Sequence, residues 1–307
     1  MVSRKTRLLS SAFVLIQALA PSPLLACACG CGVFDVGTAA MLPTRPGGMA
    51  YLEFDGMNQD QNWSGTAKAS ADANPDKQIR TGFFTAGVQV MLDRRWGFIA
   101  ELPYWSRYFK TTGDDGAVAG FTHSAVGDFR IKGVYSGFSS DMSSGLTFGF
   151  KLPTGDFSYP NFDRDTQIGT GSTDLLVGAY RTGMIADSGF NWFVNAQWDQ
   201  PLLTAGGYRP GAELDAVLGT YFDRWKLGGV KVAPTAQAVG SARARDGGTL
   251  ANPADSGYTR VLLSPGLEID AARVRVVGDV GFPVFQKVNG SQLAAAELFR
   301  LNVGYPF

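Results

Sequence analysis

Phe299-Arg300-Leu301-Asn302-Val303-Gly304-Tyr305-Pro306-Phe307 decides how the rest of the chain is read. Apolar side chains stand at every second position, from Phe299 through Leu301, Val303 and Tyr305 to Phe307. Arg300, Asn302 and Gly304 lie between them. A strand points successive side chains to opposite faces, so one face of this stretch is wholly apolar and the other polar. The apolar face runs to an aromatic with nothing after it to cover it. A face that meets lipid has that pattern; a face that meets water rarely does.

The same alternation recurs upstream. Strands are expected near Met49–Met57, Gly82–Leu92, Trp96–Phe109, Val126–Phe138, Gly145–Leu152, Thr173–Thr182 and Phe190–Asp199. Further ones are expected near Ala212–Tyr221, Trp225–Ala238, Tyr258–Ile269 and Ala272–Phe285, with the C-terminal stretch as the twelfth. Short connections (Asp93–Arg95, Ser139–Ser144, Gly183–Gly189, Phe222–Arg224, Asp270–Ala271) alternate with long ones (Asn58–Thr81, Lys110–Ala125, Pro153–Ser172, Gln200–Gly211, Val239–Gly257, Pro283–Leu293). Transmembrane barrels have this asymmetry and an even strand number. Trp96, Phe138, Tyr180, Phe190, Trp192, Tyr221, Trp225 and Phe307 fall beside short turns, where an interfacial girdle belongs. Tyr104, Trp105, Tyr108 and Phe109 fall toward a long loop. The expected fold is all-β, a transmembrane antiparallel up-and-down β-barrel of about twelve strands. A soluble β-sandwich would also alternate, but would not call for a leader, aromatic belts and a terminal phenylalanine together.

Composition agrees. The chain has 307 residues with 27 basic and 27 acidic side chains, which removes the basic footprint that nucleic acid requires. The only long apolar run is at the start: Arg4, Lys5 and Arg7 precede Leu8–Ala20, the signature of a secretion leader. Ala26-Cys27-Ala28 favours cleavage after Ala28, giving residues 1–28 as signal, 29–47 as a Cys/Gly-containing periplasmic tail and 48–307 as barrel. Leu24-Leu25-Ala26-Cys27 also fits a lipobox that would place lipid on Cys27. Cys29 and Cys31 are spaced to share a soft metal such as copper(I) or zinc, though no nearby histidine completes a closed four-ligand set.

If the apolar rows face lipid, the lumen receives the charges: Glu53, Asp55, Glu101, Asp128, Arg130, Lys132, Lys151, Asp199 and Arg300 among them. Arg130, Lys132 and Lys151 would form a basic stripe on adjacent strands, biasing the lumen toward anions. No catalytic residue, enzyme activity or cofactor is expected. The one histidine, His123, is read as solvated loop surface, and no Gly-x-Ser-x-Gly elbow exists for it to serve. Gly169-Thr170-Gly171-Ser172-Thr173-Asp174 lacks the lysine of a phosphate loop and enters a strand, so it reads as a turn at the outer rim.

Leu152-Pro153-Thr154-Gly155-Asp156 followed by Gly169-Thr170-Gly171-Ser172-Thr173-Asp174 resembles the outer-membrane transporter barrels named after the MetA pathway of phenol degradation. Those barrels share a Leu-Pro-Thr-Gly strand exit and a Gly-Thr-Gly-Ser-x-Asp strand entry across one external loop. The likeness extends loosely over Met49–Phe307; Cys27–Gly32 is not part of it. It implies a channel of the bacterial outer membrane for small molecules, aromatic or other hydrophobic compounds among them, and no catalytic residue. The expected partners are outer-membrane lipid, a small-molecule solute and the barrel-insertion machinery, reached through the strand ending at Phe307. Asp156 and Asp174 flank the loop expected to gate entry. The alternative is a structural or metal-handling barrel whose Cys29 and Cys31 bind copper or zinc.

Overall fold

The computed structural model describes residues 39–307. The leader, Cys27, Cys29 and Cys31 lie outside the described residues. Fourteen strands follow a 3₁₀ turn at Ala39–Met41, with two further 3₁₀ turns between strands at Ala71–Ala73 and Pro253–Asp255. They are β1 (Gly47–Gly65), β2 (Ala67–Lys68), β3 (Asp76–Met91), β4 (Trp96–Thr112), β5 (Val118–Val126), β6 (Phe129–Tyr135) and β7 (Ser144–Leu152). After these come β8 (Ser172–Met184), β9 (Phe190–Thr204), β10 (Glu213–Phe222), β11 (Trp225–Leu227), β12 (Val230–Arg243), β13 (Tyr258–Ala271) and β14 (Val274–Pro306).

Every pairing is antiparallel, and the sheet closes on itself: β1 pairs β14, and β10 pairs β12. Eleven strands form the ring, and β2, β5 and β11 pair outside it. β14 is itself a hairpin. Residues 274–288 pair with β13 and residues 291–306 with β1. The chain reverses at Gly290, whose φ of +60° suits glycine, and Asp255 Oδ1 accepts the Ser291 N–H (2.8 Å) just beyond it. Counting both arms, the chain crosses the wall twelve times, as the alternation implies.

Orientation follows solvent. Leu52 is 66% exposed on the outer surface while Glu53 beside it is 8% exposed in the lumen. Along the last strand Phe299, Leu301, Val303 and Tyr305 face out, and Arg300 and Asn302 face in. An Arg or Lys on the outward face would cost about 2–4 kcal/mol at mid-bilayer depth, so the bilayer itself fixes the register. The Phe307 N–H and C=O bond with Gly48 (2.9 and 2.8 Å), sealing the seam at the last residue.

The short-turn end, periplasmic in barrels of this kind, carries packed aromatics. Trp96 packs at a tilt against Tyr135 (centroids 4.7 Å) and Phe222 lies between Phe190 and Trp225 (5.0 and 5.6 Å). In the first turn the N–H groups of Trp96 and Arg95 both donate to Asp93 Oδ1 and hold its carboxyl below the usual carboxylate range.

Three expectations are corrected. Much of Asn58–Thr81, Lys110–Ala125 and Pro283–Leu293 is strand rather than loop, extending β1, β3, β4, β5 and β14 beyond the apolar band. The fourth expected strand, Val126–Phe138, shortens to β6, and its first residue Val126 instead ends β5, with Gly127-Asp128 between the two. The ninth breaks at Gly228-Gly229, and the Trp225 end turns back as a small hairpin on β12.

Candidate functional site

At both ends of the lumen the chain itself turns inward. At the periplasmic end, residues 39–46 turn into the barrel. Their carbonyls and sulfur accept from the wall: Tyr180 Oη donates to Pro43 O (3.1 Å), Arg275 Nη1 to Ala40 O (3.3 Å) and Asn302 Nδ2 to Met41 Sδ (3.7 Å). Leu42 is 8% exposed, packed among lumen residues.

At the outer end the closure is loop 153–171, between β7 and β8. Both family-like motifs are its stems, and one carboxylate binds both. Asp128 Oδ1 accepts the Gly155 N–H (3.0 Å); its Oδ2 accepts the Thr170 N–H and hydroxyl (2.8 and 2.6 Å). Thr154 Oγ1 completes the clamp by donating to Gly127 O (2.9 Å) and accepting the Phe129 N–H (2.8 Å). The stems cross at Gly155 and Gly169, where a Cβ on Gly169 would sit 2.3 Å from Gly155 O. No side chain fits there. The stretch Gly169–Asp174, expected as a rim turn, is the loop's return stem.

Four further contacts bring the loop inward. Arg107 on β4 donates Nη1 to the carbonyls of Thr166 and Gln167 (3.1 Å to the latter). Arg164 donates to Thr170 O (2.6 Å) and lies over the Tyr208 ring (4.6 Å). Phe162 packs edge-on against Phe109 (5.5 Å) beside Ile79 and Leu293. His123 is not the solvated histidine expected. Its side chain is 17% exposed, its Nε2 lies 2.9 Å from Asp156 Oδ2, and its ring stacks on Tyr159 at 3.8 Å.

The wall is incomplete beside this loop. β4 pairs β6 only through Trp96–Glu101 and pairs β5 above Tyr104. β7 ends at Leu152, opposite Phe129. Above that level the neighbour of β5 is loop 153–171 rather than another strand.

Between the two closures lie two cavities that share Pro103, Trp105 and Arg130 as a common wall. The lower is floored by Met41, Leu42 and Pro43 and lined by Tyr51, Phe83, Ile99, Glu101 and Lys132. The upper lies under Arg164, Gln167 and Ile168. Asp128, Lys151, Asp174 and Asp199 line it from the wall.

The lumen charges come in pairs. Lys132 Nζ lies 3.1 Å from Glu101, which also accepts from Tyr51 Oη (2.8 Å). Lys151 bridges Asp174 and Asp199 (3.0 Å to the latter). Arg300 meets Asp55 at 3.3 Å. Lys132 and Lys151 therefore do not stand as an unpartnered basic stripe. Asp156 sits at the loop base, not in the lumen. Trp105, Arg107 and Tyr51 are lumen residues in the inward register of the same strands, four and six positions from Glu101 on β4 and two from Glu53 on β1, so Trp105 lines the lumen and does not join the outer aromatics. Arg164 and Tyr208 lie on loops, where no register exists to mark them. Among the described residues, no group of three or more His, Cys, Asp or Glu is placed to hold a metal.

No family model matches the sequence, and no curated protein does. Among solved structures the fold is similar to the COG4313 outer membrane channel from Pseudomonas putida F1. The TM-score is 0.66 at 13% identity, covering 89% of this chain and 100% of that one. It is also similar to the beta domain of the Bordetella autotransporter BrkA, with a TM-score of 0.52 at 10% identity, covering 86% of this chain and 100% of that one. At such identities the likeness is one of fold. The chain is a closed antiparallel β-barrel with the fold of these outer-membrane barrels.

Proposed function

We propose that this barrel is a gated passive channel for small hydrophobic molecules, with aromatic ones the best fit. The observation that carries the reading is the inward loop clamped on Asp128 over a lumen with an aromatic-lined lower chamber. A water-filled porin needs a wide polar bore. Here the bore is divided, both ends are covered, and most of the charges are neutralised by partners. Tyr51, Phe83 and Trp105 offer ring faces and edges to a flat apolar solute, and Phe83 and Trp105 already meet edge-to-face at 4.7 Å.

The residues divide by role. Asp128, Asp156 and Asp174 set the position of the loop and its stems. Glu101, Arg130, Lys132, Lys151 and Arg300 hold the lumen wall polar and electrically balanced, so that neither anions nor cations are drawn strongly. The solute enters beside the loop, where the wall between β5 and β8 lacks a strand, and leaves past Leu42 and Pro43. Movement is down a gradient.

Uptake by cells expressing the protein tests this, with toluene as the aromatic probe and arabinose as the hydrophilic one. Expression is expected to raise toluene entry and leave arabinose entry near background. Equal permeability to both, or none to toluene, overturns the reading.

A further inference from the structure

The loop over the outer mouth rests on groups that titrate. Asp76 opens β3 at the outer end and is 1% exposed. Its own N–H donates to Asn74 Oδ1 (2.9 Å), but neither carboxylate oxygen has a well-formed hydrogen bond. Burial raises this carboxyl to about 8, with the charges of Asp163 and Asp165 on the loop adding to the rise. Thr111 on the paired strand and Lys77 oppose it weakly. Asp163 is itself pushed up to about 6 by burial. Phe162, next to it, is the residue that packs the loop down onto Phe109 and Ile79. Closing the loop thus buries carboxyls against one another.

The loop's other end is held by polar contacts, His123 against Asp156 among them. Arg107, the cross-strand neighbour of His123 on β4, donates to the loop carbonyls of Thr166 and Gln167.

We propose that loop 153–171 is a proton-controlled lid, closed when Asp76 and Asp163 carry protons and released when they lose them. This regulation rests on the reading of the loop as cover of the mouth. The sign is the same at both carboxyls. A carboxyl raised in the closed state binds its proton more tightly there than in the open state. Closure is therefore at full strength below the ordinary carboxylate value of 3.8, and it weakens as pH rises toward about 8 for Asp76 and about 6 for Asp163. Within its window each group shifts the closed-to-open ratio by up to about tenfold per pH unit.

Trypsin cleavage after Arg164, in the middle of the loop, reads the lid directly in the full-length barrel. The rate for wild type is divided by that for D76N at each pH, which cancels the protease's own pH dependence. The ratio is expected to climb roughly tenfold or more between about pH 6 and pH 8.5, because the neutral amide keeps the lid down. D163N gives its climb lower, between about pH 4 and pH 6, with smaller amplitude, and replaces D76N over that range if that variant fails to fold as a heat-modifiable barrel. A ratio that stays flat for both variants overturns the proposal. Cleavage needs no transport, so a lid indifferent to pH and a barrel that carries no aromatic solute are separate results.

Discussion

The two closures of the lumen differ in chemistry. The outer one is built on charge: a buried carboxylate with three donors from two loop stems, an arginine on two carbonyls, and a histidine–aspartate contact. The periplasmic one is held mainly by acceptors of residues 39–46, each taking one hydrogen bond from the wall. Removing a carboxylate that serves several donors strands all of them, at about 1–3 kcal/mol for each buried group. Removing a single neutral donor loses about 1 kcal/mol. The outer closure is therefore suited to a switch with sharp states, and the inner one to small, graded yielding as a solute passes.

Closures in series give the largest expected effect. Asp128→Ala releases both stems of loop 153–171, yet residues 39–46 still cover the far end. Replacing Met41-Leu42-Pro43 by Gly-Ser-Gly loosens the far end and leaves the loop in place. In planar bilayers each change alone is expected to raise conductance modestly. The two together raise it far beyond the sum, because current is limited by whichever closure remains. If Asp128→Ala alone gives the full conductance of the double variant, the periplasmic segment is no barrier and the comparison fails.

Next in size is the charge pairing between the closures. Lys151 is the only cation in ion-pair contact with both Asp174 and Asp199 among the described residues. Lys151→Met leaves two carboxylates buried without it. Breaking a buried pair in this way costs on the order of 3–5 kcal/mol. The loss is expected as a lower temperature for the heat-induced mobility shift of the barrel on gels, with much of it recovered at acid pH as the carboxylates take up protons. A variant with unchanged melting would mean that water already screens these groups.

How much of this the chain reveals before folding depends on where each residue sits relative to the bilayer. The wall was legible because lipid fixes one face: Leu52 against Glu53, and Leu301 against Arg300, separate without ambiguity. Above the bilayer both faces meet water or loop, and Asn58-Gln59-Asp60-Gln61-Asn62 carries no apolar period although it lies within β1. The stems were legible as a motif, but not their clamp, because Asp128 is 27 residues from Gly155 and 42 from Thr170. His123 looked idle for the same reason: its partner Asp156 is 33 residues away. The inward register did mark charges for the lumen, but it could not show that Lys132 and Lys151 would be neutralised by carboxylates on neighbouring strands.

The smallest expected effect tests the yielding end. Tyr180→Phe removes only the hydroxyl that donates to Pro43 O and leaves the ring packed in the wall. One neutral hydrogen bond is worth about 0.5–1.5 kcal/mol, so residues 39–46 should detach up to roughly tenfold more often, with no change in barrel melting. In an Asp128→Ala background, where the outer closure no longer masks it, that difference is readable as longer or more frequent open events in single-channel records. The same substitution with loop 153–171 intact should be nearly silent. That silence distinguishes two closures in series from a single constriction, since a lone constriction at Pro43 would respond to Tyr180→Phe whatever the state of Asp128.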